Sequence, residues 1–428
     1  MKRTLALETP ELIGKTVLVR GWVKLRRDHG KLIFLDLRDR SGLLQVVVNP
    51  KASETAYKAS RDLRPEDAIE IEGKVNKRPQ GTLNPDLASG KVEVEAHSLK
   101  VLAKAESLPF DMGEAELKLE LPTLLDNRSL TLRHPKIQAI FKTQEAVVAS
   151  FRQTAQQLGC TEIFVPNLAA GASEGGAEVF GVDYYGHKAF LTQSPQLYKQ
   201  MLVPVFERVF TISKAYRAEP SVTTRHLSEN TQMDCEFGFV DFLELLDLLE
   251  ETAKGILMVD KTAKLPSNTP RLSLAEAFEI LKKKPEQDLS PQDEVELSKW
   301  ALEKHASDIL TIHHFPTKKR AFYTMPDPNN PEFSLSYDIL FRGLEISSGS
   351  QRINDYNQLV QTMKDRGLNP KNFGMYLMAF KYGMPPEGGF SFGLERITMK
   401  IMGLQNVREA SLFPRDMERM DERFSRAE

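Results

Sequence analysis

Hydrophobic positions change their period along this chain. Over residues 16–100 they recur every second residue in short runs, "TVLVRGWV", "KLIFLDLRDR", "LLQVVV", "AIEIEGKV" and "KVEVEAHSLKVL". Such alternation presents one apolar and one polar face, the mark of half-buried strands. Turn-forming stretches "DHG", "RSG" and "RPQGTLNPDLASG" separate the runs, and "KASETAYKASRDL" reads as one helical insert. Five strands with one helix predict a small closed β-barrel of the OB type, a fold that commonly holds single-stranded nucleic acid. Residues 106–135 read as a linker that becomes a docking segment. From residue 136 the period is helical in "KIQAIFKTQEAVVASFRQTAQQLG", then strand-like in "TEIFVPNL". A Lys/Glu-rich helical stretch over 244–307 and further apolar strands complete an α+β body built on an antiparallel β-sheet flanked by helices. The expected organisation is an OB-fold domain over 1–105, a linker over 106–135 and a larger domain over 136–428.

Composition changes this picture in one respect. The 428 residues carry a net charge of −2, which by itself points to neither nucleic acid nor membrane. Residues 1–50, however, hold ten Lys/Arg against five acids. A basic module on a mildly acidic body suits a polyanionic partner. Cys160 and Cys235 are the only cysteines and no C-x-x-C occurs, which argues against a structural zinc or a disulfide framework. The start "MKRTLALETPELIGK" lacks the apolar core of a signal peptide, and no apolar run is long enough to span a bilayer. A cytoplasmic protein is expected.

Four polar constellations stand out against the apolar pattern. In "LIFLDLRDR", Phe34 shares its parity with Asp36 and Arg38, so its ring is expected on the solvent face, where a base-stacking platform would sit. A stray surface aromatic would read the same way. In "YRAEPSVTTRHLSENTQMD", Arg217, Glu219, Arg225, His226, Glu229 and Asp234 crowd one short run. Met233, Cys235, Phe237 and Phe239 alternate with polar residues beyond it, Arg217 and Glu219 share a parity before it, and the whole reads as a hairpin with one polar face. A salt-bridged surface hairpin fits equally well at this point. In "SYDILFRGLEISSGSQR", Asp338, Glu345 and Ser348 offer hard oxygen donors of the kind Mg²⁺ takes. In "GGFSFGLERITM", Gly393 precedes a helix start and Arg396 lies in its first turn, a phosphate-binding arrangement. No Walker loop is present and no G-x-G-x-x-G follows a strand. Together these clusters favour nucleotide binding without a P-loop.

The order and content of these segments resemble the class IIb aminoacyl-tRNA synthetases, and among them the aspartyl-tRNA synthetases. "TEIFVPNL" resembles the end of motif 1, "YRAE…RHLSENTQMDCE" motif 2 and "SFGLER" motif 3, while "GWVKLRRDHGKLIFLDLRDRSGLLQVVV" resembles the anticodon-binding domain. The likeness runs over roughly residues 12–418. It implies a ligase that activates L-aspartate with ATP to aspartyl-adenylate and transfers it to tRNA(Asp), with Mg²⁺ as cofactor. By the same resemblance Arg217 and Arg396 are the catalytic cations, on the α- and γ-phosphates. Glu219 reads adenine, Arg225 and His226 hold the terminal phosphates, and Leu227, Glu345, Gly393, Leu394 and Glu395 complete the ATP site. Asp338, Glu345 and Ser348 hold the metal. Lys199 and Arg352 pair with the substrate side-chain carboxylate, Gln196 and Ser348 lie alongside, and Glu174, Ser194 and Asp234 surround its ammonium group. One departure is Asn230, where family members often carry an aromatic that stacks on adenine. Pro166 matches the family's interface proline and implies a homodimer.

For the tRNA, the resemblance places Arg27, Phe34 and Gln45 at the middle anticodon base and His29 and Gly81 near the third. His29 and Gly81 match enzymes that also charge tRNA(Asn), which would imply an amidotransferase acting on the product. Both are equally ordinary turn residues. Alternatives are an asparaginyl-tRNA synthetase, against which Lys199 argues, and an ammonia-dependent asparagine synthetase or other class IIb paralogue, against which the basic barrel argues. A catalytically dead RNA-binding paralogue is opposed by the intact Arg217, Glu345 and Arg396.

Overall fold

The structure, a computed structural model, describes residues 1–112, 116–171, 179–220 and 222–424. The chain divides into two compact units, Met1–Lys118 and Leu119–Glu428.

In the first unit the alternating runs become five strands, Thr16–Asp28, Ile33–Arg38, Leu43–Val48, Ala68–Lys77 and Val92–Ala103. The fifth inserts between the third and fourth, and the fourth pairs with the first, closing a barrel that leaves no free sheet edge. Val17, Val19, Val23, Ile33, Leu35 and Leu37 fill it together with Leu44, Val46 and Val48. The helical insert is Glu54–Ser60, started by the Ser53 side chain accepting from the Ala56 backbone N–H.

The second unit is built on an eight-stranded sheet. Its order is Arg271–Ser273, Ile309–His313, Ser336–Phe341, Glu345–Gln351, Glu387–Gly393, Glu229–Gly238, Arg208–Tyr216 and Thr161–Glu162. The central six strands are antiparallel, as the sequence pattern suggests. The two edge strands, Thr161–Glu162 and Arg271–Ser273, instead pair in parallel. One face packs on the helices Pro135–Gln157, Phe242–Leu257 and Leu394–Ile401, with Phe151, Leu249, Phe237, Phe390 and Phe392 in the shared core. The other face carries the polar residues.

Three local expectations change. The stretch 244–307 is three helices, Phe242–Leu257, Leu274–Leu281 and Pro291–His305, with the edge strand Arg271–Ser273 inside it. Pro266 and Pro270 cannot continue a helix, and Ser273 and Ser290 begin new ones with capping boxes to Glu276 and Asp293. The strand Glu229–Gly238 is buried on both faces rather than half-buried, because Gln232, Asp234 and Glu236 are covered as completely as Met233, Cys235 and Phe237. Phe239 falls outside it, with φ +57° and 70% exposure.

The boundary also falls earlier in the second unit than the expected linker over 106–135 places it. Residues 119–135 belong to that unit and include the helices Leu121–Asp126 and Arg128–Thr131. The reason is Arg128. Its buried guanidinium donates to the backbone carbonyls of Glu409, Ser411 and Leu412 at 2.7–2.9 Å. Burial pulls its pKa down to about 10. Arg128→Ala would strand three carbonyls together, and an expected loss of about 3–5 kcal/mol follows from unsatisfied buried polar groups. The shift in urea unfolding midpoint of the second unit measures it, and a change below about 1 kcal/mol would show the tie to be dispensable.

Candidate active site

Strand periodicity and register together assemble the site. Cross-strand partners lie on the same face of a sheet. One such row runs Asp234, Ser391, Ser348, Asp338 across four strands. The next row passes through Glu236, Gly389 and Ser350. Residues that lie far apart in sequence therefore share one polar floor.

At one end the floor is a closed charge cluster. Lys199, from the helix Gln196–Phe206, places Nζ 2.9 Å from Asp234 Oδ1 and 3.1 Å from Glu236 Oε2. Arg352 places Nε 2.8 Å from Glu236 Oε1, and its Nη atoms donate to Ser350 Oγ, Gln196 Oε1 and the Gly389 carbonyl. All four charged groups are buried. Burial raises the Asp234 pKa although Lys199 opposes it, whereas Arg352 and Lys199 hold Glu236 below its usual value. The Lys199 pKa stays above its ordinary value because Asp234 and Glu236 outweigh its own burial. A glycine is required at 389, since a Cβ there would lie 2.3 Å from Glu236 Oε2. Gln196 Nε2 is buried without a partner among the described residues. Ser194 is buried beside it, its Oγ accepting from the Gln196 backbone N–H at 3.3 Å.

At the other end a cleft of ≈ 280 Å³ opens, lined by Arg217, Glu219, His226, Asn230, Glu345 and Arg396 among others. Leu227, Gly393 and Glu395 also line it. Leu394 is buried in the core instead. Arg217 and Glu219 lie just past the end of the strand Arg208–Tyr216, not within an extended arm. Arg217 still closes the hairpin through its backbone N–H to Ser228 O at 2.9 Å, and Pro220 follows. Among the described residues neither the Arg217 nor the Glu219 side chain has a hydrogen-bond or ion-pair partner. Arg396 and Arg225 are each paired with a carboxylate, and Arg396 Nη1 also donates to the Glu345 carbonyl at 3.1 Å. Arg396 Nη1 lies 3.4 Å from Glu345 Oε2, and Arg225 Nη1 lies 2.9 Å from Glu294 Oε1. His226 takes part in a 2.7 Å hydrogen bond with Thr223 Oγ1, and burial beside Arg396 lowers its pKa. Glu395 is buried and accepts from the Thr231 backbone N–H through both oxygens, so it pins the strand to the helix Leu394–Ile401.

Asp338 and Ser348 meet as cross-strand partners, and Glu345 precedes Ser348 on the same strand. Arg320 spans the first two, donating to both Asp338 oxygens at 3.1 and 2.7 Å and to Ser348 Oγ at 3.0 Å. Burial nonetheless pushes Asp338 up to about 6. A carboxylate that resists ionisation, a second carboxylate and a hydroxyl form a hard-oxygen donor set that a divalent cation would stabilise. Glu174 lies outside the described residues.

Sequence reasoning did not single out Glu236, Gln200, Arg320 or Glu387 as site residues. Glu236 shares the parity of Asp234 and could have been read from it. Arg320, in "TKKRAFY", and Glu387, in "MPPEGGF", sit in stretches that look like surface loop and turn.

On the first unit Phe34 projects from the outer face as its parity predicts, edge-on to the exposed His29 at 5.4 Å between centroids. Arg27 is the cross-strand partner of Phe34, and Gln45 that of Asp36. Arg27 pairs with Asp36 at 2.7 Å, and Gln45 donates to Glu93 at 2.8 Å. Gly81 has no φ in the left-handed region and open space where a Cβ would stand, so nothing local demands a glycine there.

Residues 120–417 match the model of tRNA synthetases class II (D, K and N), and residues 17–102 match the OB-fold nucleic acid binding domain of the tRNA anticodon type. The chain is 40% identical to an aspartate--tRNA(Asp/Asn) ligase of Thermus thermophilus, over 98% of this chain and 99% of that one. It is 39% identical to an aspartate--tRNA(Asp) ligase of Pyrococcus horikoshii, over 96% and 97%. Among solved structures, asparaginyl-tRNA synthetase of Pyrococcus horikoshii with asparaginyl-adenylate superposes with a TM-score of 0.88 at 31% identity, over 98% and 99%. With two domain models in order and relatives matched from end to end, this chain belongs to the class II tRNA synthetases of the D, K and N group, as an aminoacyl-tRNA ligase of the aspartate--tRNA ligase kind.

Proposed function

We propose that the cleft binds ATP, that the buried charge cluster beside it selects L-aspartate, and that the adenylate formed there is passed to tRNA. The observation that carries this reading is the contrast between the two ends of the floor. Lys199 and Arg352 converge on one region at the closed end, and Arg217, at the mouth of the cleft, has no side-chain partner among the described residues. A carboxylate side chain placed against two cations is well paired. An amide in the same place leaves cationic donors unmatched, which disfavours asparagine.

Arg217 would hold the α-phosphate and the attacking carboxylate together, offsetting charge that grows as the carboxylate oxygen bonds to phosphorus and pyrophosphate leaves. The nucleophile is already ionised, so no general base is required. Glu219, whose side chain likewise has no partner among the described residues, would accept from the adenine amino group, and Asn230 would border the base without supplying an aromatic face. Arg396, Arg225 and the neutral His226 would exchange their present partners for the outer phosphates. Asp338, Glu345 and Ser348 would hold Mg²⁺, which when bound with ATP neutralises phosphate charge and assists the leaving pyrophosphate. Asp234 and Ser194 would receive the substrate ammonium group, Glu174 would join them, and Gln196 would lie beside the side-chain carboxylate.

A homodimer completes the proposal. Phe164 is 88% exposed just beyond the edge strand Thr161–Glu162, and Phe206 and Phe239 are exposed at the neighbouring strand ends. Pro166 lies in the same segment. Apolar surface of this extent suits a second copy of the chain. No described helix is long and apolar enough to cross a membrane. Translation sets the expected place of action in the cytoplasm.

Aspartate-dependent exchange of pyrophosphate into ATP tests the chemistry. Arg217→Ala is expected to reduce it by roughly a hundred- to a thousand-fold, the usual consequence of removing one donor from a transition-state oxyanion. Near-normal exchange by the variant would take Arg217 out of that role.

On the barrel, the middle anticodon base is expected to stack on Phe34, with Arg27 and Gln45 at its edge. Stacking contributes about 1–3 kcal/mol per base. Phe34→Ala should therefore raise KM for tRNA while sparing pyrophosphate exchange, and equal loss in both assays would point to a damaged fold instead.

Charging of tRNA(Asn) as well as tRNA(Asp) is the broader reading. His29 is exposed beside Phe34, and Gly81 leaves its loop open, so neither blocks a second base. Asp-tRNA(Asn) would then pass to an amidotransferase. Purified tRNA(Asn) transcript should accept aspartate at a rate near that of tRNA(Asp). A rate orders of magnitude lower would mark a discriminating enzyme.

A further inference from the structure

Behind the charge cluster lies a fifth ionisable group that the mechanism above does not use. Glu387 is fully buried at the start of the strand Glu387–Gly393. Its Oε1 accepts from Gln200 Nε2 at 2.7 Å, and Gln200 Oε1 in turn accepts from Tyr376 OH at 3.1 Å. Its Oε2 finds no N–H or hydroxyl donor among the described residues. What does face it is the carboxyl of Glu236: the strand register pairs Glu236 with Gly389 and Glu387 with Gly238, so the two buried carboxyl groups are diagonal neighbours on one face of adjacent strands. Two carboxyl groups can share a hydrogen bond only if one carries a proton. Glu236 has Lys199 and Arg352 within ion-pair distance, and Glu387 has neither. The other groups around Glu387 are the neutral Gln200 and Tyr376 from two helices, together with the charge of Arg352 just past the end of the neighbouring strand Glu345–Gln351.

Resting on the reading of the cluster as the aspartate site, we propose that Glu387 is a positioning and specificity-determining residue that works as a neutral carboxylic acid. Its O–H donates to Glu236 and fixes that carboxylate between Lys199 and Arg352. The charge count then favours an acidic substrate. Lys199 and Arg352 supply two positive charges, and Asp234 and Glu236 supply two negative ones. A neutral Glu387 leaves the pocket balanced before the substrate enters. An ionised Glu387 would give it a surplus negative charge that a substrate carboxylate must overcome. Burial and the Glu236 charge both push Glu387 well above the ordinary carboxyl range, which agrees with the proton residing there.

The test separates hydrogen-bond donation from charge. Glu387→Met fills similar volume but cannot donate, and it should raise KM for aspartate by about tenfold or more, the scale of a lost hydrogen bond to a charged group. KM for ATP should stay put. Glu387→Gln carries an amide donor and no charge, and it should recover aspartate KM to within about threefold of the unaltered enzyme, since one neutral donor replaces another. A Gln variant as impaired as the Met variant would show that the ionised carboxylate is needed and would overturn the proposal. A Met variant with unaltered aspartate KM would overturn it as well. Neutron diffraction on the unaltered protein reads the proton directly, whether or not the variants fold. A deuteron between Glu387 and Glu236 is expected, and its absence sinks the idea. If the unaltered enzyme activated no aspartate, the substrate reading would fail first and separately, because the neutron measurement does not depend on it.

Discussion

Glu236 is the group on which the second unit turns. It is completely buried, and it is held from two sides by Lys199 and Arg352. Moving an ion out of water costs several kcal/mol even after the protein relaxes, and the attraction between partners returns that only when geometry is close and every remaining donor is satisfied. The surroundings meet this condition around Arg352, while Gln196 Nε2 and Asp234 Oδ2 have no partner among the described residues. Arg352 spends its donors on Ser350, Gln196, Glu236 and the Gly389 carbonyl. Gly389 has no side chain because Glu236 Oε2 occupies that space. Replacing such a buried ion cluster by apolar groups of equal volume is often neutral or stabilising, so on the proposed reading the charges are retained for what they select.

The opposite face of the same strands bears the cost. Met233, Cys235 and Phe237 alternate with Gln232, Asp234 and Glu236 and pack under the long helices, so a single strand separates a dry core from a charged floor. A one-residue slip in register would exchange the two faces, which makes the register strongly determined. The floor itself is graded. At the end around Lys199 and Arg352 the charges are buried in ion pairs. At the cleft end Arg217 has no side-chain partner among the described residues, and Arg396 is held through Glu345 by its carboxylate at 3.4 Å and its backbone carbonyl at 3.1 Å. On the proposed reading, preorganisation sits where discrimination between similar side chains is needed, and freedom sits where a highly charged ligand supplies its own driving force.

How much of this was legible follows from the range of the interactions. Period-two alternation needs only neighbours, so the barrel strands, the hairpin around Glu229–Gly238 and the outward ring of Phe34 could be read directly. The roles assigned to Arg217, Glu219 and the rest came from resemblance, and the structure adds which of them share a floor. Pairings across the sheet were not legible. Asp338 faces Ser348 through a tight return at Arg342 and Gly343 with a bulge beside it, and no local pattern fixes that register. Glu387 sits between two prolines and two glycines, a context that mimics a surface turn, and only its pairing beside Glu236 reveals it. Arg128 was hidden for the same reason, since its three carbonyl partners lie more than 280 residues away.

The barrel uses charge differently, and the difference bears on how a nucleic acid would be read there. Its first fifty residues are strongly basic, yet Arg27 is not a free cation on that surface. Asp36 holds it at 2.7 Å, and burial keeps the Asp36 pKa raised in spite of Arg27, Lys24 and Arg78 nearby. Gln45 is likewise oriented by Glu93, itself shifted upward by burial. A residue meant only to meet phosphate gains nothing from a carboxylate at its side, because the carboxylate weakens the attraction. Carboxylates do restrict which way a guanidinium or an amide can point, and a fixed donor can discriminate base edges. The arrangement around Phe34 thus has the form of a reading surface, with stacking in the centre and oriented donors at the rim. Exposed lysines and arginines elsewhere on the basic segment would supply the non-specific attraction.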